Sequence, residues 1–490
     1  MTQPTATTTA RDPADPARVP ARPPARVSWT VITVTIVLVG VALRVAQYAS
    51  RQSYWNDEAS LVLNIFDRDA RELLGPLDHD QASPPLVLLA MRGMFVTFGR
   101  SEYAMRLLPL ILGTGALMLF AGVAWRSLPP SMAAITLALF ALSDNLINHA
   151  AEAKQYSSDL FVATLLLLLA MHGAPHVPAE RRLIRVALVA CAAVWFSHST
   201  VFVFGGIALV LGAAALRERR KNLPFVTAAI AAPAMSFLAM YLVSIRRQQS
   251  AMLFDYWQAK FVDYSWTLPL WLAKSFYGLF DYAYDRCGGV LLPLGVIGAV
   301  HLWRAGRREL LGVLVLPILF TLAAAALHRY PFGGTRLTLF LAPSCLLLVG
   351  AGLLALREMR WPRTGQWWVA LPVALLALHG VIDVYHLRVP RYRGNMRPVV
   401  QYIRAHRAPG ERVFALRDRE LLAYWPDPDD RVVIGAWPEQ FPPRGRFWVA
   451  LSFGQGGRDK FKHEIPPNLD GQPASLQQWR GGAALLFDRR

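Results

Sequence analysis

Apolar residues in this chain fall in long runs, without the two-residue or three-to-four-residue rhythm of a half-buried soluble element. The runs place spans at about 28–48, 106–125, 132–148, 157–172, 184–198, 200–216, 223–243, 288–303, 309–327, 337–356 and 367–386. Each approaches the roughly 20 apolar residues that carry a helix across a bilayer. Only Ser197-His198-Ser199-Thr200 divides the stretch 184–216. The pattern predicts an α-helical polytopic membrane protein of about eleven transmembrane helices.

The gaps between runs alternate in character. One set holds Arg18, Arg22 and Arg26; Arg126; Arg181, Arg182 and Arg185; Arg217, Arg219, Arg220 and Lys221; Arg304, Arg307 and Arg308; and Arg357, Arg360 and Arg363. The positive-inside rule assigns this set to the cytoplasm. The other gaps, about 49–105, 149–156, 198–200, 244–287 and 328–336, then face outward, as does everything after about 387. The expected setting is the cytoplasmic membrane, with residues 1–27 as a disordered cytoplasmic tail rich in Pro, Ala, Thr and Arg. No small-residue cleavage site follows the first apolar run, so it is expected to be a retained helix.

Pro84 to Gly99 tests the scheme. It is apolar but short, with Arg92 near its middle, and a crossing there would invert every later loop. The expectation is an interfacial or re-entrant helix in the first outer loop. The aromatics Tyr256, Trp257, Tyr264, Trp266, Trp271 and Tyr277 suit the same headgroup level. After about 387 the chain becomes polar and Pro-rich. A helical stretch, Met396 to Ala408, precedes β-like runs at Arg412–Leu416, Arg431–Ile434 and Arg446–Leu451. The expected organisation is a transmembrane domain over 28–386 and a small extracytoplasmic α/β domain over 387–490.

Composition supports this picture: 54% of the 490 residues are hydrophobic and only 17% charged, with a mean hydropathy of +0.31. The net charge of +18 is dispersed over short loops, which sets topology and leaves no basic face for nucleic acid. Cys191, Cys287 and Cys345 show no metal-binding spacing and read as packing residues.

The outer gaps carry the candidate chemistry. The first begins Tyr54-Trp55-Asn56-Asp57-Glu58, just past the first span. One such carboxylate can take a proton from an acceptor while its neighbour orients a partner; the plainer alternative is a solvated acidic loop. His79 stands between Asp78 and Asp80, where adjacency does not supply the convergence a metal ion needs. Arg106 reads as an interface anchor or ion-pair partner of Glu102. The second outer gap packs Asn145, Asn148, His149, Glu152, Lys154, Gln155, Tyr156 and Asp159 between apolar runs. Ionisable groups at that depth tend to be buried, paired and functional, although Glu152 and Lys154 can also be read as an exposed surface pair. The gap from His328 to Arg336 offers Arg329, Tyr330 and Arg336 around Gly333-Gly334. The glycines permit close approach to a ligand, and two guanidiniums suit a phosphate; the alternative is an ordinary turn with interfacial arginines.

Several stretches in this order resemble the GT-C membrane glycosyltransferases, in particular the family 39-like group of protein O-mannosyltransferases and the lipid A aminoarabinose transferase. They are Trp55-Asn56-Asp57-Glu58-Ala59, Ser83-Pro84-Pro85-Leu86, Ser101-Glu102 with Arg106-Leu107-Leu108-Pro109, Glu152 to Ser157, and Tyr330 to Arg336. The resemblance implies transfer of a sugar from a polyprenyl-phosphate donor to a lipid, glycan or protein hydroxyl outside the cytoplasmic membrane. It implies Asp57 as base, with Glu58 and Glu152 as further acidic positions. It also implies Lys154, and Arg336 by position only, as cations for the donor phosphate; the residues themselves add Arg329 to that grip and offer Tyr156, Tyr330 and His79 as further substrate-binding candidates. No cofactor is required by these residues, and a divalent cation is left open. A transporter or flippase of a lipid-linked anion is the competing reading, but repeated halves and broken mid-membrane helices are not evident in the sequence.

Overall fold

The computed structural model describes residues 28–174, 176–359, 367–391, 393–416, 418–435, 441–442, 444–453 and 473–489. The expected tail 1–27, and with it Arg18, Arg22 and Arg26, lies outside the described residues, as do Arg360 and Arg363.

The first half of the chain forms α1 (Trp29–Ala49), α2 (Asn56–Asp67), α3 (Pro85–Phe98), α4 (Glu102–Ser127), α5 (Pro130–Ala141), α6 (Asp144–His149), α7 (Tyr156–Met171), α8 (Ala179–Ala193), α9 (Thr200–Glu218) and α10 (Leu223–Met240). The second half adds helices Leu268–Ala283, Gly288–Arg304, Arg308–Ala326, Ala342–Glu358 and Trp367–Arg388. Each of the eleven expected intervals therefore contains a helix. Among the described residues, however, seven helices are long and apolar enough to cross a membrane, or eight if one bent pair counts as a span. α5 and α7 are apolar but fall short of that length. The bent pair is Leu268–Ala283 with Gly288–Arg304, which meet at 98°.

Local chemistry sets the starts of these helices. Ser101 caps α4 by accepting from the Ala104 N–H at 3.1 Å. Pro85 opens α3, where its missing N–H costs nothing. Ser197 and Ser199, at the break between α8 and α9, donate to Asp159 Oδ1 on α7 at 2.6 and 3.3 Å. The polar interruption in 184–216 is thus a buried hydrogen-bonded corner. Helix Ala342–Glu358 runs through the middle of the bundle, nearly all of it buried. It lies backbone to backbone against Gly288–Arg304, because a methyl at Gly298 or Gly352 would overlap the carbonyl of Leu348 or Leu294.

α4 gives the bundle two chemically distinct ends. Glu102 and Arg106 stand at its start, and Arg126 stands at its finish beside His172. Arg182, Arg307 and Glu309 gather at the Arg126 end.

The C-terminal segment forms helix Met396–His406, helix Asp418–Tyr424 and a sheet of β1 (Arg412–Ala415), β2 (Val432–Ile434), β3 (Gly445–Ser452), β4 (Ser475–Trp479) and β5 (Gly482–Arg489). The strand order is β2-β1-β3-β5-β4. β1 runs parallel to β2 and β3, while β5 is antiparallel to β3 and β4. Met396, Val399, Val400 and Ile403 bury one face of the first helix on this sheet. The second helix packs on α2, where the Tyr54 and Tyr424 rings stack 5.6 Å apart. The Tyr424 hydroxyl accepts the Tyr54 N–H at 2.7 Å and donates to Glu102 Oε1 at 2.9 Å.

Candidate functional site

Asp57 is the second residue of α2. Lys154 Nζ lies 3.2 Å from its Oδ1, and Arg336 Nη2 lies 3.2 Å from its Oδ2. Lys154 belongs to the turn between α6 and α7; it is buried and also donates to Gln81 Oε1. Burial pulls its ammonium below the ordinary lysine value, and Asp57 only partly offsets this.

Arg336 precedes the central helix Ala342–Glu358. Its guanidinium lies over the rings of Trp55, Trp257 and Tyr156, at 5.4, 5.6 and 5.8 Å from their centroids. Ring faces attract a cation without neutralising it, so they fix the guanidinium and preserve its charge. The positioning depends on the turn before it. Gly333 has φ +110° and packs against Ser275, and Gly334 presses on the backbone of Gly278. The close approach expected there towards a ligand is made to the protein's own helix Leu268–Ala283. Tyr330 closes the same turn by donating to the Leu337 carbonyl at 2.8 Å.

Glu152 forms a second node. Its Oε1 accepts from Trp55 Nε1 at 3.2 Å and faces Arg393 Nη1 at 3.4 Å. Its Oε2 lies 2.5 Å from His149 Nδ1, and His149 Nε2 is 2.7 Å from the Tyr282 hydroxyl. Burial alone would push this carboxyl up; His149, Arg393 and Arg336 outweigh it and hold Glu152 well below the usual carboxylate range. Glu152 and Lys154 are each only 4% exposed and do not pair with one another, which excludes the exposed surface pair.

Glu58 points away from this group. Arg106 grips both its oxygens, through Nε at 2.9 Å and Nη2 at 2.7 Å, and the Ala153 N–H donates to Oε1 at 2.7 Å. The expected pairing of Arg106 with Glu102 is therefore not formed: Glu102 takes Arg51 at 3.2 Å and Arg397 at 2.7 Å. His79 reaches Lys154 indirectly, since its carbonyl accepts from the Gln81 side chain at 3.0 Å. Arg329 is exposed, and neither it nor Tyr330 contacts Asp57.

Asp57, Glu152, Lys154, Tyr156 and Arg336 thus converge from three distant parts of the chain. Trp55, Gln81, His149 and Trp257 join them from stretches already polar or aromatic in sequence. Tyr282 and Arg393 join without any motif to mark them. Arg393 also lies over Trp55, 4.6 Å from its centroid. A cavity of about 880 Å³ opens beside it, lined by residues including Asp144, Asn148, Arg286, Tyr385, Arg391 and Arg393. A smaller one of about 30 Å³ shares Asn148, Arg391 and Arg393 and reaches Trp55 and Glu152. Asp57 lines neither. Among the described residues no group of three or more His, Cys, Asp or Glu could hold a metal ion.

No family model and no curated protein matches the sequence. Solved structures do match. ArnT from Cupriavidus metallidurans bound to undecaprenyl phosphate superposes with a TM-score of 0.50 at 15% identity, covering 94% of this chain and 98% of that one. The chain has the GT-C fold. AglB, the oligosaccharyltransferase of Archaeoglobus fulgidus in complex with an inhibitory peptide and a dolichol phosphate, gives a TM-score of 0.48 at 13% identity. That match covers 85% of this chain and 65% of AglB. Within the GT-C fold, the segment before α3 carries Asp57, and the junction of α6 with α7 carries Glu152 and Lys154.

Proposed function

We propose that this chain transfers a sugar from a polyprenyl-phosphate donor to a hydroxyl acceptor, lipid, glycan or protein, at the outer face of the cytoplasmic membrane. The observation that carries the reading is Asp57 set between Lys154 and Arg336 on a GT-C fold, one solved neighbour of which, ArnT, is bound to undecaprenyl phosphate. The donor's tail stays in the bilayer, and its phosphate competes with Asp57 for the two cations. Asp57 then takes the proton of the acceptor hydroxyl. The acceptor oxygen bonds to the anomeric carbon as the bond to phosphate breaks. The phosphate departs with the electron pair, its charge met by Lys154 and Arg336, and the anomeric centre inverts.

The other residues divide by what they touch. Glu152, fixed by His149 and Arg393, orients Trp55 against the Arg336 guanidinium. Tyr156 supports the same cation. Glu58 braces α2 through Arg106, Tyr330 shapes the turn, His79 anchors Gln81, and Arg329 meets the phosphate on approach. The cavity beside Arg393, walled by the segment that leads into residues 387–490, offers the acceptor an approach towards Trp55 and Glu152, which line its smaller neighbour.

The test uses the full-length protein in nanodiscs with undecaprenyl-phosphate sugars and an envelope-lipid extract. Wild type should release undecaprenyl phosphate and a glycosylated product, and Asp57→Asn should release neither while still binding donor. Product formation by a folded Asp57→Asn variant overturns the base assignment. No product from wild type with any donor overturns the activity.

A further inference from the structure

At the end of the bundle opposite Asp57, the finishes of α4, α7 and α9, the start of α8 and the start of helix Arg308–Ala326 enclose a crevice of about 610 Å³. Its polar wall is Arg126, Arg182, Arg307, Glu218 and Glu309, and the rest is largely apolar, with Leu310 and Val313 among it. Both carboxylates are already engaged. Glu309 makes a two-point pair with Arg182, whose Nη2 lies 3.0 Å from Oε2, and Glu218 accepts the Ala179 N–H at 3.3 Å. Three guanidiniums thus face two committed carboxylates.

The cations keep unused donors. Arg126 gives one nitrogen to the Gly122 carbonyl and shares another with His172, and Arg307 donates to the Ser127 carbonyl. Neither has a carboxylate partner among the described residues. Burial depresses the proton affinity of Arg307, and no neighbouring charge restores it. Arg182 is 4% exposed, yet its buried Nε has no hydrogen-bond partner. A buried donor left unmade is costly, and an anion supplies what such donors lack.

Depth selects among anions. From Arg106, beside the Asp57 group, to Arg126 is twenty residues of one helix, or about 30 Å. That matches a hydrocarbon thickness, so the crevice lies at headgroup level in the leaflet away from the site. Guanidiniums beside an apolar wall at that level meet a phosphate joined to acyl chains. We propose that this crevice binds the phosphate headgroup of an anionic phospholipid of that leaflet. The proposal does not depend on the glycosyl-transfer reading.

Full-length protein is reconstituted into nanodiscs of phosphatidylcholine with or without phosphatidylglycerol, then examined by native mass spectrometry and thermal unfolding. Phosphatidylglycerol should be retained at least about tenfold over phosphatidylcholine and should raise the unfolding midpoint. Arg126→Gln with Arg307→Gln should abolish most of both effects, and the corresponding Lys pair should keep most of them. Arg336→Ala, at the other end, should leave them intact. Equal retention of the two lipids overturns the site, as does an undiminished effect in the Gln pair. Should the Gln pair not accumulate, the wild-type comparison decides alone. Displacement of the retained lipid by undecaprenyl phosphate in Arg336→Ala protein overturns the assignment to a phospholipid.

Discussion

Arg336 Nη2 stands 3.2 Å from Asp57 Oδ2, and the same guanidinium is roofed by Trp55, Trp257 and Tyr156. A carboxylate and three aromatic rings thus orient one cation. Arg336→Ala should lower kcat/KM for the donor by about 100-fold or more, since one charge-stabilising donor at a leaving group is typically worth that much. Arg336→Lys should recover only part of it, because an ammonium keeps the charge but lacks the planar face that stacks on the rings. Steady-state kinetics against a polyprenyl-phosphate sugar would show this, and full recovery by Lys would count against the ring-held geometry.

Lys154 should give the proposed reaction an alkaline limit. Its proton affinity is lowered by burial, so as pH rises it loses charge before an ordinary lysine does. Donor affinity should therefore weaken below the usual lysine range near 10.5. Lys154→Arg should move that limb upward, because a guanidinium stays charged. The linkage runs the other way for stability. The folded state releases the proton first, so Lys154 makes unfolding harder as pH climbs from its depressed value to the ordinary one. Donor-binding titrations and unfolding midpoints over the same pH series separate the two effects.

Glu152 should show itself in acid. Its folded-state proton affinity is depressed, so its contribution to stability is fully present above the ordinary glutamate value and fades as pH falls through the folded one. Glu152→Gln should flatten the acid limb of the stability profile. It should also lower activity, because a neutral amide no longer pairs with Arg393 and His149 and so holds Trp55 less firmly. Melting curves from neutral to acid pH would test the first point, and an unchanged acid limb would rule it out.

Glu58 and Arg106 form a closed buried pair, so removing one partner should hurt more than removing both. Arg106→Met alone leaves a buried carboxylate unpaired, at a cost of about 3–5 kcal/mol. Arg106→Met combined with Glu58→Leu should regain much of the folded yield. If Glu58→Gln alone abolishes turnover while its melting point stays at the wild-type value, Glu58 takes part in the chemistry and does not only brace α2.

Tyr424→Phe tests the link between the C-terminal segment and α2. The variant leaves the Tyr54 N–H and Glu102 without a shared hydroxyl, at a cost of about 1–3 kcal/mol for a buried group. The unfolding midpoint should fall, and activity should fall with it, because Tyr54 lies three residues before Asp57.

The sequence made the apolar intervals legible because lipid selects for them directly. It could not show that α5 and α7 are short or that Leu268–Ala283 meets Gly288–Arg304 at 98°, since run length says nothing about direction. Met396–His406 and β1 to β3 were readable from amphipathic and β-branched patterns. Helix Asp418–Tyr424 and strands β4 and β5 were not: residues 482–485 read Gly-Ala-Ala-Leu, with little β-propensity, and their pairing with β3 is a tertiary choice. At the site, Asp57, Glu152, Lys154 and Tyr156 stood out as polar residues beside apolar runs. The partners did not. Arg106 turns to Glu58 and leaves Glu102 to Arg397, and Arg393 finds Glu152 across a separation of 241 residues. Such pairings are decided by packing, which leaves no local mark.

The hydroxyl of Tyr424 holding the Tyr54 amide has a consequence in time. During synthesis at about 5–20 residues per second, roughly 20–70 s separate the emergence of Asp57 from that of Tyr424. The sheet beneath Tyr424 needs β5, which ends at Arg489 and emerges later still. The earliest carboxylate of the group therefore waits for a strand made more than 400 residues later before its helix is fully anchored. A chain halted before β5 should therefore hold its span helices with α2 still loosely seated.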